Sequence, residues 1–527
     1  MRPGPSPPTS PPGQRPGPRW TRRGPASPHR PARSGFAPSP VYRRRRPEQT
    51  PLYQVVQHHL ETYLAMVEEG EADPLAAWTE HEFRRYLTCG ILAFGFARAR
   101  CTDCGQERLV AFSCKARCVC PSCTNRRMAE VAAHLSDSVL PAVPVRQWVL
   151  SAPKRLRPHL MRDADLAGAV LRILLRVIRA ELHDSARGDP PSDARLGAVS
   201  FLHRFGSGLN PHPHFHLAIT DGLFAREDGE DGGPLHFHPA VGLDAERARA
   251  LTPIVQRRIL KLYVRRGLLS DADAADMLTW RGTGGFSLDG SVRIAGHDRA
   301  GLERLLRDCA RPPFALHRLR PESSRVPLSS SDARLVYELP RPARDGRTRI
   351  RLSPLELLDR LARLIPPPRV HRHRYHGVFA PNATWRREAT RYGREDMDDA
   401  GSDAEPNEGK GTDALVPSCG HGADRGPRRR WAQLLARVYE VHPLRCPACH
   451  GQMRILAFLT DPAVVRPILR HLRIPEHPPP VRPARGPPQT ELLAVDSPSP
   501  WDHGGQATSG RDPFDQSLPG DDGTWSA

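Results

Sequence analysis

Apolar residues along this chain recur with two different periods. Leu52, Val55, Val56, Leu60, Tyr63 and Leu64 return every three or four positions, which predicts an amphipathic helix reaching about Glu69. The same period predicts helices over residues 128–140, 166–182, 251–266 and 299–310. Shorter runs rich in Val, Ile, Phe and Trp predict strands at 145–150, 198–202, 214–220, 235–238 and 292–294. A Gly-rich turn at 206–208 joins the second and third of these. Strands and helices mix without regular βαβ repetition, so the fold class is α+β. Further on, a strand at 455–459 and a helix after Asp461 define a small C-terminal module.

Composition marks off the segments between and beyond these patterns. The first 50 residues hold 14 prolines, 11 arginines and one acid, which cannot bury a core. The expected organisation is a disordered Arg/Pro-rich arm at 1–47, then a helix plus a cysteine-rich zinc domain at 48–135. A larger domain follows at 140–390, an acidic linker at 394–413 and the small module at 428–474. A disordered tail at 476–527 completes it. No run of 18 apolar residues occurs, so no membrane span or membrane partner is expected, and the N-terminus has no apolar core of a secretory signal. The formal net charge of +19 points to a polyanionic partner. Residues 51–393 contribute +13 of it and 414–475 contribute +7, while the linker and tail are negative.

Seven of the 11 cysteines crowd between Cys89 and Cys123. Cys101-x2-Cys104 and Cys120-x2-Cys123 lie fifteen residues apart, and two such pairs can present four thiolates to one structural zinc ion. Cys89, Cys114 and Cys118 leave room for a substituted ligand or a second ion. Arginines and Lys115 surround this motif, as phosphate contacts require. In His212-Pro-His214-Phe-His216, a strand would point His214 and His216 to one face as a metal clamp, with Phe215 on the other. Cys446-Pro-Ala-Cys449 offers two ligands for a second zinc, with His442, His450, Cys419 and His421 as candidates to complete it.

Five stretches carry a family resemblance. They are ERLVAFSCKARCVCPSCTNRRMAEVAAHL, VPVRQWVLSAPKRLR, FLHRFGSGLNPHPHFHLAITDGLF, CARPPFALHRL and RVHRHRYHGVFAPNATWR. In this order they resemble the zinc-binding, rolling-circle insertion-sequence transposases, whose nuclease is of the HUH class, from about Pro47 to Arg386. The resemblance implies a ferredoxin-like antiparallel sheet carrying His214 and His216, which bind a catalytic Mg²⁺ or Mn²⁺. It implies single-stranded DNA at element ends as the partner, and a bacterial, cytoplasmic, nucleoid-associated setting. In such enzymes a helix-borne tyrosine attacks the scissile phosphate, leaving a 5′-phosphotyrosine and a free 3′-OH.

This chain departs from the family at that tyrosine. The nucleophile position, three residues before Arg311 in GLERLLRDCARPP, holds Asp308, and one turn earlier stands Arg304. Two functions follow as alternatives: a nicking and rejoining transposase, or a DNA-binding relic that no longer cuts. His203 and His212 are candidates for a third metal ligand, and Tyr375 is the best remaining tyrosine in a basic setting.

Overall fold

The computed structural model describes residues 44–226, 233–343, 345–394 and 444–485. The Arg/Pro-rich arm up to residue 43, the acidic linker from 395, the first part of the small module at 428–443 and the tail from 486 lie outside the described residues, as do Cys419, His421 and His442. Helix α1 (Pro51–Glu68) begins where Thr50 accepts the Tyr53 N–H and Pro51 occupies the first helical position. Helix α2 (Ala77–Leu87) packs on its apolar face through Phe83 and Tyr86. A hairpin of β1 (Phe96–Cys101) and β2 (Glu107–Ala111) then leads to α3 (Pro121–His134). That helix starts seven residues earlier than its apolar period alone suggests, because Pro121 pre-sets the first turn.

An antiparallel core follows. Strands β3 (Val145–Ser151), β4 (Gly197–Phe205) and β5 (Pro211–Thr220) pair in the order β4-β5-β3. Between β3 and β4 come α4 (Arg157–Arg162) and α5 (Ala164–Asp184). After β5 run the β6 (Gly222–Arg226) and β7 (Leu235–Pro239) pair, then α6 (Ala245–Ala250), α7 (Thr252–Arg265) and α8 (Asp271–Thr279). Strands β8 (Ser287–Asp289) and β9 (Arg293–Ile294) both pair with β3, and α9 (Arg299–Cys309) lies across the sheet. Alternation assigns the faces. Trp148, Leu150, Phe215, Leu217 and Ile219 face the core built with α5 and α7. Val145, Val199, Phe201 and Ala218 face Leu302, Leu305 and Leu306 of α9. His214 and His216 alternate with Phe215 and Leu217, so they project on the α9 side.

The remaining elements close the N-terminal core from afar. Strands β10 (Leu319–Pro321), β11 (Leu335–Glu338) and β12 (Arg349–Leu352) form a small antiparallel sheet before α10 (Pro354–Leu364). Leu357, Leu358 and Leu361 of α10 pack against Leu52, Val56 and Leu60 of α1 in one cluster. A capping box starts α10: Ser353 Oγ accepts the Glu356 N–H at 3.1 Å, and Glu356 accepts the Ser353 N–H at 2.7 Å. Ser353→Ala is expected to cost about 1 kcal/mol, read as a lower urea midpoint with an unchanged slope. Strand β13 (His373–Gly377) extends the main sheet beside β4, and α11 (Arg386–Ala389) follows.

Strand β14 (Met453–Leu459) pairs antiparallel with β1, so residues 444–474 add a strand to the cysteine-rich hairpin. Helix α12 (Pro462–His471) lays Val465 and Leu469 over Leu92 and Phe96. No described helix is long and apolar enough to cross a membrane.

Candidate metal centres

Antiparallel pairing of β4 with β5 sets His203 opposite His214 and Phe201 opposite His216. His203 therefore joins the two alternating histidines on one face, all three buried. Ring centroids lie 4.3 Å apart for His203–His216, 5.1 Å for His203–His214 and 5.0 Å for His214–His216. One nitrogen of each ring is held from outside. His203 Nε2 donates to the Cys309 carbonyl at 2.7 Å, and His214 Nδ1 donates to the His212 carbonyl at 2.8 Å. His216 Nδ1 meets the Gln147 side-chain amide at 3.0 Å. These contacts leave His203 Nδ1 and His216 Nε2 buried with no hydrogen-bond partner, which costs free energy unless something else occupies them. One ring nitrogen from each of the three lies within 4.8 Å of the others. This donor set fits a divalent ion: neutral imidazoles oriented by outer hydrogen bonds. Burial, with the neighbouring rings and Arg311, holds all three well below the usual histidine range, so they stay neutral.

His212, the other candidate third ligand, turns to Ser151 Oγ at 3.1 Å instead and is not grouped with the three. Asp308 is buried on α9, with Oδ2 4.0 Å from His216 Nδ1 and Oδ1 3.5 Å from Arg311 Nε. It thus sits beside the Gln147 side of the ring, away from the orphaned Nε2. Arg304, one turn earlier, is exposed. Tyr375 lies on β13 opposite Val199, with its hydroxyl 3.2 Å from His373 Nε2 and the Arg386 guanidinium 5.1 Å from its ring centre. Burial raises the pKa of its phenol, which opposes use as a nucleophile. Sequence reasoning missed Gln147 and Arg311 as contributors here, because β3 and the loop after α9 reach the histidines only through sheet register and helix packing.

The cysteines form two groups rather than one. Cys89, Cys114, Cys120 and Cys123 converge at the first. Their sulfurs are 3.7 Å apart for Cys89–Cys123 and Cys114–Cys123, and 3.5 Å for Cys89–Cys120. A tetrahedral zinc with bonds of ~2.3 Å sets sulfurs about 3.8 Å apart. Cys101 and Cys104 instead meet Cys446 and Cys449. The expectation that Cys101, Cys104, Cys120 and Cys123 share one ion is therefore corrected. Strand β1 carries Cys101 to the far end of the hairpin, about 17 Å along five residue steps, while β2 returns the chain so that Cys114 reaches Cys89. Cys118 belongs to neither group; its thiol faces the Leu364 carbonyl at 3.6 Å, and burial pushes it up to about 12. Cys89 and Cys114 carried no paired-cysteine signal, and the Cys446 pair is too distant in sequence for spacing to connect it.

Comparison with known proteins finds two family models along the chain. The family model "Transposase zinc-binding domain" matches residues 55–152, and "Putative transposase" matches residues 197–387. The two spans together take in more than half of the chain. By these two matches the chain is similar to the zinc-binding transposases. A relative in this family is the "Transposase for insertion sequence element IS801" of Pseudomonas savastanoi pv. phaseolicola, 28% identical over 141 residues. That alignment covers 26% of this chain and 32% of the relative, so the chain matches about a third of the relative's length. No solved structure matches the chain. The zinc-binding family span supports structural zinc in this region and contains all four cysteines of the first group. The transposase span contains His203, His214, His216 and Asp308.

Proposed function

We propose that this transposase-family protein binds single-stranded DNA at the ends of a mobile element and presents its phosphate to a divalent ion held by His203, His214 and His216. In this reading residues 140–390 have the ferredoxin-like core of an HUH-type nuclease, the kind used in rolling-circle transposition. The observation that carries it is the pair of buried, partnerless ring nitrogens on His203 and His216, converging with His214. Mg²⁺ or Mn²⁺ bound there supplies Lewis-acid polarisation of a phosphate oxygen. The chain's own groups do the positioning. Gln147, whose Nε2 lies 3.0 Å from His216 Nδ1, fixes the orientation of that ring. Arg311, held over Phe205 at 5.5 Å and beside Asp308, supplies a fixed positive charge next to the histidines.

Asp308 decides between the two functional alternatives. Attack by its carboxylate would give an acyl phosphate, which water destroys before a strand can be rejoined. Its pairing with Arg311 and its place on the Nδ1 side of His216 support a structural carboxylate over a nucleophile. The reading is a DNA-binding transposase that retains the metal centre and lacks the covalent step. Wild-type protein with Mn²⁺ and single-stranded element-end DNA should retard the DNA in a native gel. On a denaturing gel it should give no protein-linked strand. A protein-linked product from wild type, mapped to any residue, would contradict the reading.

A further inference from the structure

The second cysteine group joins segments far apart in sequence, and no matched family span contains it whole. Cys101 and Cys449 are 348 positions apart, yet their sulfurs lie at 3.4 Å, and Cys104 and Cys446 lie at 3.5 Å. The two Cys-x2-Cys turns are built alike. The Cys101 N–H bonds the Gln106 carbonyl at 2.8 Å, and the Cys446 N–H bonds the Gly451 carbonyl at 2.8 Å, five residues on in each case. Each turn has a positive φ directly after its second cysteine, +73° at Gly105 and +59° at His450. A backbone folded this way twice, face to face, brings four sulfurs to one point from two directions.

A disulfide is ruled out by distance, since bonded sulfurs lie ~2.05 Å apart. Four thiols at contact suit a tetrahedral thiophilic ion. Packing around them is thin: Ala99, Cys101, Cys446 and Met453 form the local cluster, and Leu92, Phe96, Val465 and Leu469 the next. Clusters so small do not hold a strand against its conformational entropy without a staple. Leu456 and Phe458 of β14 remain about half exposed.

We propose that Cys101, Cys104, Cys446 and Cys449 bind a second structural zinc ion that clamps β14 and α12 onto the β1–β2 hairpin. The cysteine-rich domain is then completed by a segment that follows the nuclease core in sequence. This proposal stands independently of the DNA chemistry.

The full-length protein, purified under reducing conditions, is the material for the test. Wild type should contain two zinc ions per chain, and Cys446→Ser/Cys449→Ser one. In the variant, alkylation mapped by mass spectrometry should label Cys101 and Cys104 while Cys89, Cys114, Cys120 and Cys123 stay protected. Two zinc ions in the variant, or Cys101 and Cys104 readily labelled in zinc-loaded wild type, would overturn the proposal. Should the double variant aggregate, Cys449→His keeps a fourth donor. Its Co²⁺ form should carry two ions per chain, with d–d bands moved to higher energy for one of them; unshifted bands would equally overturn it.

Discussion

Cys120→Ser is expected to lose one zinc ion per chain and to unfold the region containing α1 and α2. Cys120 is fully buried and immediately precedes α3, with its sulfur 3.5 Å from that of Cys89. It stands in the same apolar cluster as Leu52, Phe83 and Leu358, so α1, α2 and α10 all rest against the metal centre. Structural zinc contributes on the order of 10–16 kcal/mol to folding in small zinc domains. Losing a large part of that is comparable with a typical domain stability of about 5–15 kcal/mol. Elemental analysis should show the missing ion, and hydrogen exchange should show the α1 and α2 amides unprotected. Cys118→Ser is the matched control. Its sulfur lies outside both cysteine groups, so the zinc content should be unchanged. An unaltered zinc count in Cys120→Ser would remove this residue from the ligand set.

Asp308→Tyr is expected to create a covalent reaction that wild type lacks. Position 308 faces His216 from α9 at 4.0 Å, and a phenol there, longer than the carboxylate by a ring, is expected to reach past His216 toward the orphaned nitrogens. Its oxygen attacks phosphorus, the bond to the 3′ oxygen breaks, and the products are a 5′-phosphotyrosine and a free 3′-OH. The phenol ester keeps the bond energy that rejoining needs. Removing a nucleophile from an intact site costs on the order of 10⁶-fold in rate. Restoring one should therefore raise protein-linked product at least ~10³-fold above the wild-type background. The change also removes the carboxylate beside Arg311, so one competitor of a DNA phosphate for that guanidinium is gone. Denaturing gels of labelled DNA, with peptide mapping of the linkage to position 308, give the readout. No adduct from a folded, metal-loaded Asp308→Tyr would show that α9 does not carry the nucleophile position.

Much of this fold is written in local pattern. The helices α1, α5, α7 and α9 and the strands β3 and β5 follow from apolar period and apolar runs, because their buried residues lie close together along the chain. The β1–β2 hairpin was hidden by its cysteines and arginines, whose places are fixed by sulfur geometry and not by apolar alternation. Helix α10 was missed although its leucines recur regularly, since its partners α1 and α2 lie some 300 residues earlier. The sites divide in the same way. His214 and His216 share a strand, so spacing alone aligns them. His203 needed the β4–β5 register, which shifts between His203 and Phe205 and is invisible in sequence. The cysteine grouping failed for the complementary reason: regular spacing along the chain suggested one ion, while a hairpin between the two pairs separates them.

The central claim is that His203, His214 and His216 together form a divalent-ion centre. Mn²⁺ titration followed by electron paramagnetic resonance tests it most directly, using the zinc-loaded wild type and His203→Ala, the ligand that spacing alone does not identify. Loss of an outer-sphere partner ordinarily weakens metal binding ~10–100-fold, so loss of a direct ligand should weaken it at least about 100-fold. Wild type should bind one Mn²⁺ per chain and His203→Ala essentially none at the same concentration, with both zinc ions retained. Equal Mn²⁺ affinity in the two proteins, or none in wild type, would contradict the account.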